Sequence, residues 1–175
     1  MFVVVDIKTT GLNPVNNLIL EAGIAICDDS LEVQEQFSYV CGLPDKPNMS
    51  IEVYSMHQKS GLLEEVLKSP YTFQDVEQKL VEFLTDLGVV EEPMCGSSVH
   101  FDRGFLKIWM PRLESLFHYR NIDVSTIKNL AERWNPEVFN QRPEGRKLHR
   151  SLPDCEDTIA ELLYYQENFF FLGEN

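Results

Sequence analysis

The sequence predicts one α/β domain, a mixed sheet covered by helices, on three observations. A chain of 175 residues that is 43% hydrophobic and 25% charged can bury one sizeable core but hardly two independent ones. Strand-like apolar runs fill its first part, and helical periodicity then alternates with short apolar runs, the order expected of a layered α/β or α+β fold. No internal repeat, low-complexity tract or interdomain linker interrupts residues 1–175, so a single domain is expected over the whole length.

Residues 2–6 are a short β-branched run that reads as a buried strand, ended by the turn Gly11-Leu12-Asn13-Pro14. Residues 18–27 and 31–40, separated by Asp28-Asp29-Ser30, read as a hairpin that continues the sheet. Residues 42–49, with Pro44 and Pro47, are expected to be a loop. Thr72 and Asp75 have capping-box spacing, and Phe73, Val76, Leu80, Phe83, Leu84 and Leu87 then recur at helical spacing up to Gly88. Residues 93–96 suit a short buried strand, 102–109 a helix stopped by Pro111, and 121–124 a further strand, after which Ser125 caps a helix running to Trp134. Ser151, Pro153 and Asp154 open a last helix that continues to about residue 170.

A formal net charge of -13 would repel a long polyanion and does not suit a binder that relies on releasing counterions. The charge is uneven: residues 100–150 carry ten basic and six acidic side chains, a local +4 against -17 elsewhere. That is either a chance excess on a solvated surface or a basic lobe that holds a small anion. There is no apolar run long enough to cross a membrane, and Met1-Phe2-Val3-Val4-Val5 lacks the basic flank of a signal peptide, so neither a membrane span nor secretion is expected. Cys27, Cys41, Cys95 and Cys155 stand far apart without a C-x-x-C pair, which argues against a zinc module or disulfide scaffold and for the reduced thiols of a cytoplasmic protein.

Four segments put acids or a histidine in unusual company. In Asp6-Ile7-Lys8-Thr9-Thr10-Gly11-Leu12, Asp6 and Lys8 are two apart and share a face at the carboxyl end of a strand, where ligands of open α/β sheets often sit; Asp6 could equally end a strand and begin a turn. Asp102, in Gly96-Ser97-Ser98-Val99-His100-Phe101-Asp102-Arg103, falls in the first turn of a helix, where a carboxylate is favourable in any case. In His149-Arg150-Ser151-Leu152-Pro153-Asp154, the histidine precedes a helix whose first turn carries Asp154; a lone histidine is more often structural than catalytic. His118-Tyr119-Arg120, leading to Asp123-Val124-Ser125, sets an aromatic ring and a guanidinium beside a strand, for packing or for phosphate and base contact.

These segments form an ordered set over nearly the whole chain: D-x-x-T-T-G-L from Asp6, Met56-His57-Gln58-Lys59-Ser60-Gly61-Leu62, G-x-S-x-x-x-D-R-x-F-L from Gly96, H-Y-R-x-x-D-V-S-T from His118, H-R-S-L-x-D from His149 and I-A-E-L-x-Y-Y from Ile159. The set resembles the oligoribonuclease branch of the exonucleases that carry Asp, Glu, Asp and Asp metal ligands with a general-base histidine. The resemblance implies a ribonuclease-H-like five-stranded mixed sheet flanked by helices, a homodimer, and 3′-to-5′ hydrolysis of very short oligoribonucleotides, dinucleotides upward, to nucleoside 5′-monophosphates. It further implies two divalent cations, Mg²⁺ or Mn²⁺, which prefer oxygen ligands. On that pattern Asp6 bridges both ions, Asp154 holds the ion that activates water, Asp102 positions the other, and His149 takes the proton. Leu12 is then the apolar wedge against the terminal base. Ser98, Arg120 and Ser125 grip the 5′ phosphate, Tyr119 stacks on a base across the dimer, and His57 lies near the active site.

Two positions depart from the family pattern. Its aromatic residue ahead of the His57 segment falls by spacing on Glu52, with Tyr54 the nearest substitute. Its motif glutamate is replaced by Lys8, which cannot ligate a metal while protonated. One unit-charge interaction at ~4 Å and an effective dielectric near 20 is on the order of 4 kcal/mol, so the exchange should weaken metal binding. The departure fits an inactivated variant, a natural pseudo-enzyme, or an enzyme with weak activity through Asp6, Asp102 and Asp154. The competing function is a module that binds dinucleotides or short RNA without cutting them; a third keeps the reaction and changes the substrate to single-stranded DNA or structured RNA ends.

Overall fold

A computed structural model describes residues 1–43 and 45–170. Residue 44, within the expected loop, and residues 171–175, within the expected single domain, lie outside the described residues. Five strands form one mixed sheet in the order β3-β2-β1-β4-β5, with β1 Phe2–Thr9, β2 Ile19–Cys27, β3 Val33–Val40, β4 Pro93–Gly96 and β5 His118–Asp123. The first three strands pair antiparallel, and β4 joins β1, and β5 joins β4, in parallel. The five-stranded mixed sheet flanked by helices is the ribonuclease-H-like architecture expected from the sequence.

The period of two along β1 decides what each layer receives. Val3, Val5 and Ile7 enter a core shared with Val76, Leu80 and Leu84 of α3 (Phe73–Asp86) and with Phe105 and Leu106 of α4 (Val99–Trp109). Val4, on the opposite face, enters a second core with Cys155, Ile159 and Leu162 of α8 (Ser151–Tyr165) and with Val124 and Ala131 of α6 (Val124–Trp134). Asp6 and Lys8 have the parity of Val4, so the alternation that makes β1 a central strand also turns both charged side chains toward the helix that carries Asp154.

Boundaries differ from expectation where side chains outside a local pattern set them. β1 runs three residues beyond the expected residue 6, because Ile7 is buried and Lys8 still pairs with Glu21 before a register shift at Lys8/Thr9. The helix expected over 102–109 begins at Val99, with Ser98 left-handed at its start (φ 59°). The strand expected at 121–124 is β5, and Asp123 rather than Ser125 caps α6 by accepting the Ser125 N–H. Helices α1 (Ile51–Lys59) and α2 (Leu62–Lys68), α5 (Pro111–Glu114) and α7 (Pro136–Gln141) were not expected. The last helix ends at Tyr165 and loosens into a π-type turn over Gln166–Phe170. The four cysteines are free and buried. None of the described helices is long and apolar enough to cross a membrane.

Two close approaches hold the sheet to the helices that bear the acids. A Cβ on Gly96 would lie 2.9 Å from the Val5 carbonyl oxygen, so only glycine lets the end of β4 sit this close to β1. A Cβ on Gly23 would meet Ser151 Oγ at 2.5 Å and Cβ at 2.8 Å, at the first turn of α8. Gly104, inside α4, has open space where a Cβ would go. We expect Gly23→Ala to destabilise the chain by about 1–3 kcal/mol through overpacking. Gly104→Ala should stabilise it by about 0.5–1 kcal/mol by relieving helix entropy. Urea unfolding reads both, and equal signs would contradict the packing described.

Candidate active site

Beyond Val4, the β4 side of β1 has no strand partner, since the pairing covers only Val3 with Met94 and Val4 with Cys95. The Ile7 N–H on that side instead donates to Asp102 Oδ1 at 3.0 Å, so buried Asp102 satisfies the strand end as a missing ladder partner would. From the opposite face, α8 presents Asp154 in its first turn. Lys8 joins them: its Nζ lies 2.5 Å from Asp154 Oδ2 and 2.7 Å from Asp6 Oδ2. The contact with Asp154 has hydrogen-bond geometry, whereas Asp6 Oδ2 is buried without a hydrogen-bond partner. Three acids far apart in sequence are thus gathered around the last turns of one strand, with an ammonium between two of them.

Burial dominates the electrostatics. It pushes the Asp6 carboxyl up to about 8, against the pull of Lys8 and with help from Asp102 and Asp154. It likewise lifts Asp102 to about 7, although the Ile7 N–H draws it down. Burial works against the charge of Lys8, but Asp6 and Asp154 outweigh it and hold the ammonium above the ordinary lysine range. A lysine this firmly protonated has no lone pair to offer a metal.

His149 precedes α8 in a left-handed conformation (φ 54°) and lines, with Lys8, Leu12, His57 and Phe101, a cavity of about 200 Å³. Leu12 stands at this rim 83% exposed. His57, fully buried on α1, donates Nε2–H to the Thr9 carbonyl at 2.9 Å and so ties α1 to the end of β1; its Nδ1 has no partner. Ser98 and Ser125 are brought together, their hydroxyl oxygens 3.2 Å apart, and Asp123 Oδ1 accepts from the Ser98 N–H and from the Ser125 N–H and hydroxyl. Tyr119 and Arg120 project from the edge strand β5, 74% exposed in the case of Tyr119, with the guanidinium 5.4 Å from the ring centroid. Neither is among the residues lining the Lys8 cavity, and no hydrogen bond among the described residues ties the Arg120 side chain to the serine pair. Tyr54 lies under the Lys46 ammonium and lines a cavity with Pro47 and Ile51, whereas Glu52 faces one lined by Lys147, His149 and Arg150.

Sequence reasoning missed the clamp beneath this site. Glu21, 1% exposed on β2, accepts the Ser151 N–H at 2.9 Å and two nitrogens of Arg150, whose guanidinium also pairs with Glu65 of α2. A carboxylate from the sheet therefore caps α8, where Arg150 supplies no side-chain cap of its own, and fixes the turn that carries Asp154 next to His149. One signal was available: Glu21 is the only charged residue in an otherwise apolar strand run, residues 18–27. Arg103, also unassigned, is held by Glu114 and the Asn121 side chain, both at 2.7 Å, bracing α4 behind Asp102.

Carboxylate oxygens such as those of Asp6 and Asp154 are the donors a hard divalent cation prefers, but Lys8 does not leave the expected pair of ions its place. An ammonium already spans Asp6 and Asp154. Among the described residues, no group of three His, Cys, Asp or Glu side chains is disposed to hold a metal ion. The two-ion centre does not fit the side chains as they stand.

The RNase_T family model, described as exonuclease, matches residues 3–162. An oligoribonuclease of Neisseria meningitidis is 40% identical over 168 residues, covering 94% of this chain and 89% of the relative. That of Chromobacterium violaceum is 40% identical over 169 residues, covering 94% and 92%. Among solved structures, the zinc-ion-bound form of E. coli exonuclease I with single-stranded DNA superimposes with a TM-score of 0.74 at 15% identity. It covers 96% of this chain and 41% of that one, so the chain spans about two fifths of the length of this structure.

Burial is the main influence holding the His57 imidazole below its ordinary pKa, and the Thr9 carbonyl offsets only part of it. A depressed native pKa means that protons bind the unfolded chain better, so the stability His57 confers is present above about pH 6.5 and is lost as the pH falls through the lower native value. Between about pH 7 and about pH 5 the wild type should therefore lose more stability than His57→Gln, whose amide can still donate to Thr9. Urea unfolding at the two pH values reads the difference, and parallel losses would show that His57 titrates normally.

Proposed function

The chain belongs to the RNase_T exonuclease family, and from that premise we propose that it is a 3′-to-5′ exoribonuclease of very short oligoribonucleotides whose turnover is curtailed by Lys8. The observation that carries this reading is the gathering of Asp6, Asp102 and Asp154 about the end of β1, next to a small cavity lined by Lys8 and His149. Relatives 40% identical over most of their length are oligoribonucleases, which supports short RNA as the substrate. Exonucleases of this kind use divalent metals.

The chain's own residues have these parts. His149 takes the proton from the attacking water, work suited to an imidazole near neutral pH. Leu12, exposed at the cavity rim, packs against the terminal base. Ser98 and Ser125 offer their hydroxyls, and Arg120 its planar fork, to the 5′ phosphate. Tyr119, exposed on the edge strand, stacks on a base from the partner of a homodimer. A grip of this size engages only a few nucleotides, which is compatible with a net charge of -13 that would repel longer RNA. The four free cysteines suit a reducing cytoplasm.

The position of Lys8 favours a second reading, a module that binds dinucleotides without cutting them. Lys8→Glu should raise dinucleotide cleavage in Mg²⁺ or Mn²⁺ by on the order of a hundredfold or more, because charge compensation at phosphate is worth several kcal/mol. An unchanged high rate would show that Lys8 does not stand at the motif position. Tight dinucleotide binding without product from either protein would establish the binding module. In the Lys8→Glu background, His149→Ala should cost about 10²–10⁴-fold in rate with binding largely kept. Comparing a diribonucleotide with a longer RNA and with single-stranded DNA tests the substrate class, and a preference for the long or the deoxy substrate would overturn it.

A further inference from the structure

Lys8 lies between Asp6 and Asp154, 2.7 Å from one and 2.5 Å from the other. A buried carboxylate without a positive or hydrogen-bonding partner is costly, and an exonuclease pocket of this kind with a fourth acid at position 8 would depend on bound cations to offset its charge. Here the balancing charge is covalent. The Lys8 ammonium touches Asp6 and Asp154, from the two elements that build the pocket, β1 and α8. It lies with 10% of its side chain exposed, at the wall of the cavity shared by His57 and His149. Lys8 does not serve as an ordinary cross-strand ion pair: its register partner Glu21 is committed to Arg150 and to the Ser151 N–H.

We propose that Lys8 is a resident counter-ion that takes over the structural role of one divalent cation, so that the pocket is organised without metal and accepts at most one ion, rather than two. This rests on the reading of the site as an exonuclease pocket, but it concerns metal occupancy and stability rather than turnover. An ion at the Asp6 and Asp154 position would have to displace the ammonium from both carboxylates. The two acids nearest by register and packing are already engaged, since Glu21 and Glu65 are both held by Arg150.

The test compares the whole chain with Lys8→Glu and Lys8→Met, in chelator and in saturating Mn²⁺ or Mg²⁺, by thermal melting and by calorimetric titration of the metal alone. The wild type should melt at nearly the same temperature in both media and bind no more than one ion. Lys8→Glu should melt lower in chelator and gain about 5–10 °C at ion concentrations about a hundred times its dissociation constant, with one ion more than the wild type. A Lys8→Glu chain that is unfolded in chelator and folds with Mn²⁺ supports the proposal in the same way. Should Lys8→Glu fold in neither medium, Lys8→Met must lose melting temperature in chelator and recover part of it with metal. Two ions on the wild type, or an equal metal-induced gain in wild type and Lys8→Glu, would overturn it. Cleavage is not read in this experiment, so a Lys8→Glu chain that gains metal but never cuts RNA would refute the exonuclease reading and leave the counter-ion intact.

Discussion

The crowding of acidic side chains away from water at the end of β1 is the constraint that the rest of the site answers. Each acid is met differently: Asp102 by the orphaned Ile7 N–H, Asp154 by the Lys8 ammonium in hydrogen-bond geometry, and Asp6 by the same ammonium at contact distance alone. Bringing these groups together requires a strand end without a ladder partner on one side, a helix start pressed onto β2, and a glycine at each close approach. In the sheet order, β1 lies between β2 and β4 and packs on α4 with one face and on α8 with the other. The strand thus places the acids and the helices bring the partners.

The scaffold keeps its functional charges apart from its structural ones. Glu21 with Arg150, and Arg103 with Glu114, are ion pairs between elements that brace the backbone behind the site, and further partners, Glu65 and the Ser151 N–H in the first case and Asn121 in the second, tie them into the frame. Removing one partner from such a pair strands the other in a poorly solvated place, which is far more damaging than losing an exposed pair. Asp6 and Asp154 are balanced by a single side chain, Lys8, that touches neither structural pair. That separation lets the balancing charge change identity while the frame around it stays the same.

Much of the fold was legible because its elements carry local signals. The β-branched run of β1, the hairpin of β2 and β3 and the capping box of α3 are patterns within one element, and all of them appear. What was not legible depends on residues far away in sequence. The extension of β1 through Lys8 follows from pairing with β2, and the start of α4 at Val99 from a left-handed Ser98 held by Asp123. Helices α1 and α2 went unseen because residues 51–68 bury only one side against Leu20 and β1, leaving a weak period. At the site, sequence parity alone put Asp6 and Lys8 on one face, and the family likeness named Asp102, Asp154 and His149. The sheet-borne cap on α8 was out of reach: no spacing rule connects Glu21 with Ser151 across so much chain.

That cap has a consequence for how such a protein can change over generations. Because Glu21 fastens the start of α8 to the sheet directly, the backbone that carries Asp154 is anchored whatever stands at position 8. In the genetic code, the codons for lysine and glutamate differ by one base, so a single nucleotide exchange could convert the occupant of this position without any compensating change in the frame. Under the counter-ion proposal, a lineage carrying this architecture would change its metal occupancy in one step, with the frame for either state left in place.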